Sequence, residues 1–219
     1  MTPTTRRKRL GRPPATDSDV TRQRIIEAAQ RHFGEKGYER ATNGDIAREL
    51  DLTSGSIYHH FGSKAQLYVA ACEDARATTV AFLEEAVAGR SSLISRLTAI
   101  LESAVDLNRQ QPSFSRFLTS APGEARQHPE LGMAVAAYMT ELAGFVGRLI
   151  DEAMAAGEIA EHANPASVVC LIQAMMLGLA QFAAAAPEGA LPDVMAQCER
   201  LISGTLFTAA QPIVRSVGQ

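Results

Sequence analysis

The sequence predicts an all-α fold: three N-terminal helices that include a helix-turn-helix, then six more helices. Three observations predict it. Ala and Leu are abundant while Val and Ile are sparse, a balance that favours helices. Apolar residues recur three and four positions apart, the period of one helix face. No segment keeps the two-residue alternation of β-branched side chains that marks a strand.

Composition bounds the rest. The 219 residues are 46% hydrophobic and 21% charged, which is globular composition. The longest apolar run, Val168 to Ala186, is interrupted by Gln173 and Gln181, so a buried core helix is expected there and no membrane partner. The basic N-terminus has no apolar stretch behind it and does not read as a secretory signal. Cys72, Cys170 and Cys198 are too few and too scattered for a disulfide framework or a zinc site, which suits a reducing cytoplasm. The net charge of −3 conceals an asymmetry. Residues 1–64 hold 12 Lys and Arg against 8 Asp and Glu, whereas residues 65–219 hold 9 against 16. A basic head on an acidic body is expected when only the head meets a polyanion.

The elements follow in order. Residues 1–16, with Arg6, Arg7, Lys8, Arg9 and Arg12, are expected to form a disordered basic arm. The first helix is capped by the Asp17-Ser18-Asp19 cluster, buries Ile25, Ile26, Ala29 and Phe33, and stops at Gly37. Thr42 to Asp45 has capping-box spacing for a second helix with Ile46, Ala47 and Leu50 inside. After Asp51-Leu52-Thr53 comes a two-turn helix, Ser54 to Phe61. Ser63, with Gln66, opens a long fourth helix that Gly89 stops. Ser91-Ser92 starts a fifth, which Pro112 ends. A sixth carries Phe114, Phe117 and Leu118. Pro129 begins a seventh that reaches Gly157, and Asn164-Pro165 begins an eighth. Pro187 and Gly189 break the chain before a ninth, from Pro192 to just short of Pro212.

Two short helices joined by a tight turn, the second only two turns long, have helix-turn-helix geometry, in which the second helix enters the major groove N-terminus first. Its leading residues would be Thr53, Ser54, Gly55 and Ser56, small and polar, so that backbone and hydroxyls can approach phosphates or base edges. Ile57 and Phe61 would form its buried side.

The stretch Gln23-Arg24-Ile25-Ile26-Glu27-Ala28-Ala29, then Gly37-Tyr38, Ala41-Thr42, Asp45-Ile46-Ala47 and Ser54 to Lys64 (SGSIYHHFGSK) resembles the DNA-binding domain of the tetracycline-repressor (TetR) family. The resemblance implies a homodimeric repressor of double-stranded operator DNA, without a cofactor or metal. Residues 17–63 would be the DNA-binding domain and 64–219 the ligand-binding and dimerisation domain. It also implies phosphate contacts at Thr42, Tyr58, His59 and Lys64, and a place near base edges for Asn43, Gly44, Ser54, Gly55 and Ser56. Gly44 falls where many relatives carry a larger side chain.

Beyond residue 65 the expectations are coarser. A pocket for a hydrophobic or amphipathic small-molecule effector is expected among Phe82, Phe114, Phe117, Tyr138, Met139, Phe145 and Met175, with Arg116 as a partner for an anionic end. A dimer face is expected from Met175, Gly178, Phe182, Met195, Cys198, Leu201, Ile202 and Thr205, with Gly178 and Gly204 permitting close helix approach. No nucleophile elbow, phosphate loop or metal-spaced cluster points to an enzyme.

Overall fold

The computed structural model describes residues 17–185 and 190–206. Among these residues there are nine α-helices and no strand: α1 (Asp17–Arg40), α2 (Asn43–Glu49), α3 (Ser54–Phe61), α4 (Lys64–Val87), α5 (Leu93–Gln110), α6 (Pro112–Gln127), α7 (Gly132–Ala155), α8 (Pro165–Ala185) and α9 (Ala190–Ile202). One 3-10 turn, Pro129–Leu131, precedes α7, so Pro129 opens this turn rather than the α-helix itself. The expected basic arm and the break at Pro187 and Gly189 lie outside the described residues.

Hydroxyls set several of the helix starts. Thr42, Thr53 and Ser63 each accept a hydrogen bond from the backbone N–H three residues on, which satisfies donors that a helix leaves orphaned. Among the described residues only Ser92, with Ser95, forms the reciprocal box. At Thr42 the expected partner Asp45 turns away to Lys36 and Arg48. Asn164 caps α8 through Ser167 N–H.

The ninth helix is shorter than expected. It ends at Ile202, and Gly204 lies beyond it in the left-handed region (φ 70°). That conformation suits glycine as a helix stop, so Gly204 is not a small residue inside a helix interface.

Two cores hold the chain together. The first surrounds Ile25, Phe33, Ile46, Ile57, Leu67 and Tyr68, and it does not end at residue 63: the first half of α4 and the inner face of α6 complete it. Phe33, Tyr68 and Phe117 form an aromatic cluster, with ring centroids 4.9 Å apart for Phe33–Tyr68 and 5.3 Å for Tyr68–Phe117. The second core gathers Leu83, Leu97, Ile100, Phe145, Val146, Leu149, Ile150 and Ile172. Ion pairs brace its outer edge, from Arg148 on α7 to Glu84 on α4 and from Arg76 to Glu141.

α8 differs from expectation. By length and composition α7 and the Pro165–Ala183 part of α8 each reach the measure of a membrane span, so the two glutamines do not shorten the apolar run below it. Nor is α8 a buried core helix within one chain: Ile172 is inside, whereas Leu171, Leu177 and Phe182 are exposed. These three side chains are uncovered among the described residues.

Candidate nucleic-acid interface and interior cavity

The helix-turn-helix is locked from beneath. Ile46 and Ala47 of α2 and Ile57 and Phe61 of α3 are buried, which fixes which side of α3 faces outward. That outward side carries Thr53, Ser54, Gly55, Tyr58 and His59, all exposed, with Thr42 exposed at the start of α2. Tyr58 is 54% exposed, so its phenol is a surface donor rather than a core aromatic. Ser56 is half-buried, and its hydroxyl meets Thr53 Oγ1 at 3.1 Å. The α1–α2 joint is charged. Glu49 takes Arg31 at 2.5 Å and His32 Nε2 at 2.7 Å. Burial pushes its carboxyl pKa up, but these two partners outweigh that and hold it below the ordinary value. Hydrogen bonds from Lys36 and Arg48 bring Asp45 down to about 2.

Three expected contacts are placed differently. Asn43 is buried, and neither its Oδ1 nor its Nδ2 has a partner; it faces the interior of the head. Gly44 is half-buried, with room for a methyl beside Ser54 and Thr42 hydroxyls. The Lys64 ammonium is already engaged. It donates to the carbonyls of Tyr38 (2.9 Å) and Glu39 (3.1 Å) and lies 4.5 Å from the Tyr38 ring centroid. A cation at the carbonyl end of a helix is electrostatically favourable, so this lysine ties α4 to the end of α1. Sequence reasoning missed Arg22, whose guanidinium lies 5.0 Å from the Phe61 ring centroid; periodicity gives no signal for a stacked cation.

Below the head, α4 to α9 line a cavity of about 150 Å³ that is partly open to solvent. Of the expected lining residues it holds Phe82, Tyr138 and Met139, together with Ala104, Leu118 and Met176. Phe114 and Phe117 are absent from its wall because their face of α6 packs under the head. Phe145 is spent in the second core, and Met176 rather than Met175 lines the space. Arg116 also lies elsewhere, donating to Ser113 Oγ at 3.2 Å. Thr79 was missed, although Thr79, Phe82 and Leu83 stand at i, i+3 and i+4 on α4 and all line the cavity. That spacing was legible.

The expected dimer face divides. Phe182, Leu201, Gly178 and Thr205 are exposed, and Met175 and Cys198 half-buried. Met195 is buried and lines the cavity, and Ile202 packs against the second core. Among the described residues outside its own helix, nothing lies within 4 Å of a Cβ built on Gly178.

Residues 25–71 match the family model of bacterial regulatory proteins of the tetR family, and residues 94–206 match that of the C-terminal region of BetI-type transcriptional repressors. The chain belongs to the TetR family. It is a DNA-binding transcriptional regulator. The chain is 25% identical to the HTH-type transcriptional regulator UidR of Escherichia coli K12 over 164 residues, 75% of this chain and 82% of UidR. Its fold is shared by FadR of Bacillus subtilis, solved in complex with stearoyl-CoA (TM-score 0.73, 16% identity, 84% of this chain and 99% of that one). It is shared too by a regulator of Saccharomonospora viridis solved in complex with choline (TM-score 0.72, 18% identity, 84% and 96%).

Proposed function

We propose that the protein is a cytoplasmic, homodimeric repressor that leaves its operator when a small molecule fills the interior cavity. The observation that carries this reading is the position of α4 and α6, each of which borders both the head and the cavity. On α4, Leu67 and Tyr68 belong to the head core while Thr79, Phe82 and Leu83 line the cavity. On α6, Phe114, Phe117 and Ala121 pack under the head while Ser115, Leu118 and Thr119 face the cavity. A guest that displaces the cavity wall therefore displaces the helices on which the head rests. It shifts the balance of two states only through its different affinity for them. Small molecules bound to regulators of the same fold, stearoyl-CoA and choline, support the reading that this cavity also takes an effector.

Operator recognition is assigned to the outward side of α3, with Ser54, Gly55 and Ser56 near base edges and Thr42, Thr53, Tyr58 and His59 near phosphates. Dimerisation is assigned to the exposed faces of α8 and α9, where a second copy would cover Leu171, Leu177, Phe182 and Leu201.

The test starts with a thermal-shift screen of apolar and amphipathic compounds on the full chain. Fluorescent duplexes from the DNA flanking its own gene are then titrated with and without each hit. Release of DNA by a stabilising compound is the expected result. Hits that raise stability but leave DNA affinity unchanged would contradict the coupling.

A further inference from the structure

The cavity has a composition that selects its guest. Among the described residues, none of the side chains in its wall carries a charge at neutral pH. The wall is mainly Leu, Met, Ala, Phe and Ile, with a few neutral polar groups. Two of these, Thr79 on α4 and Tyr138 on α7, lie side by side and are each more than nine-tenths buried. Thr79 Oγ1 makes no hydrogen bond. The Tyr138 hydroxyl is its polar neighbour. Burial pushes the Tyr138 phenol up to about 12, against the opposing influence of Thr79, so it stays protonated and able to donate. A buried hydroxyl without a partner is costly. Asn108, Ser115, Thr119 and Gln173 also line the space, but among the described polar groups of the wall Thr79 is the one with a buried, unpartnered oxygen.

Resting on the effector reading above, we infer that the cavity takes an uncharged, largely apolar molecule of about single-ring size whose one polar atom hydrogen-bonds the Thr79–Tyr138 hydroxyl pair. Charge is excluded by desolvation: an ion taken from water needs a counter-charge or dense hydrogen bonding to repay its lost hydration. The size follows from the volume, about 150 Å³, since an apolar cavity of roughly that volume accommodates one benzene ring. The polar atom follows from the unmet hydroxyl, which a hydrocarbon would leave unsatisfied.

Calorimetry on the full chain without DNA tests this, using four compounds of matched shape: 4-ethylphenol, 4-ethyltoluene, 4-ethylbenzoate and 4-ethylbenzylammonium. The phenol is expected to bind most tightly, the hydrocarbon more weakly, and the two ions not measurably. Tyr138→Phe and Thr79→Val should each weaken the phenol by about three- to tenfold, the worth of one hydrogen bond, and leave the hydrocarbon unchanged. Ala104→Phe, which fills the space, should remove binding of both neutral compounds. Absence of binding by both neutral compounds, equal or tighter binding of either ion, or equal loss for phenol and hydrocarbon in the hydroxyl variants would overturn the inference. DNA release is read separately. An ion that releases DNA would refute this inference and leave the repressor reading standing. A phenol that binds without releasing DNA would do the reverse.

Discussion

Gly34 of α1 lies directly against the backbone of Ser113 at the start of α6: a Cβ built on Gly34 would fall on the Ser113 carbonyl oxygen and 3.0 Å from Phe117 N. Here the head meets the helix beneath it backbone to backbone, and no flexible side chain is there to yield. In an open helix interior, Gly to Ala stabilises by about 1 kcal/mol. At Gly34 the sign reverses. Gly34→Ala should cost about 1–3 kcal/mol, the usual range for overpacking, and lower Tm by several degrees. Gly144→Ala on α7, where nothing lies within 4 Å, should instead raise Tm slightly. Thermal melts of the two variants side by side check the pair.

Lys64 and Tyr58 should separate in their effects. Lys64 is bound to the carbonyls of Tyr38 and Glu39, so Lys64→Ala should lower thermal stability and change the salt dependence of DNA binding little. Tyr58 is exposed. Tyr58→Phe should leave Tm unchanged and weaken binding to all sequences alike. DNA titrations across a salt series, with a melt of each variant, distinguish a structural lysine from a phosphate ligand. A salt slope reduced by about one in Lys64→Ala, without loss of stability, would show that it contacts phosphate.

The charged joints of the head should make it acid-sensitive. Asp45 is held at about 2 by Lys36 and Arg48, and Glu49 is lowered by Arg31 and His32 against a partial loss of hydration. Because both pKa values fall on folding, the stability they give is fully present above the unfolded value of about 4. It is lost as the pH drops through the folded values. The Tm gap between the parent chain and Asp45→Asn/Glu49→Gln should be constant above about pH 5 and close as the pH falls below about 4. A gap independent of pH would contradict the assignment.

Much of this architecture is legible in the sequence because local rules govern it. Thr42, Thr53, Ser63 and Asn164 cap helices where their hydroxyls and amide predict. The outward side of α3 follows from Ile57 and Phe61 being buried. What the sequence hides is which of two apolar neighbours a bulky residue serves. Phe114 and Phe117 are as hydrophobic as Phe82, yet one face of α6 packs on α1 and the other on the cavity, and periodicity marks both faces alike. The engagement of Lys64 with α1 is hidden for a related reason. Its position at a helix N-terminus is visible in sequence, whereas the carbonyls that end α1, folded back beside it, are a tertiary fact. The end of α9 at Ile202, ten residues before Pro212, shows the same limit: Gly204 stops the helix through its backbone conformation, which apolar spacing does not report.

Dimerisation is tested best at residues with no role inside the protomer. Ile202 is a poor choice because it packs on the second core. Phe182 and Leu201 are 39% and 46% exposed. Phe182→Glu combined with Leu201→Glu should give a folded monomer in sedimentation, with a helical circular dichroism spectrum like that of the parent chain. A double variant that remains dimeric would move the interface elsewhere.

Operator recognition by a dimer depends most on two α3 helices being held at one fixed separation on a single DNA face. A two-fold operator would then require half-sites about 10–10.5 base pairs apart, one turn of the double helix, or a multiple of it. Inserting about 5 base pairs, half a turn, between the half-sites carries one head to the opposite face of the DNA. Anisotropy titration of the parent and inserted duplexes with the unmodified protein is the most direct measurement. A dimer with fixed heads should bind the first tightly and the second only in a salt-sensitive, nonspecific way. Equal affinity for both duplexes would contradict this arrangement.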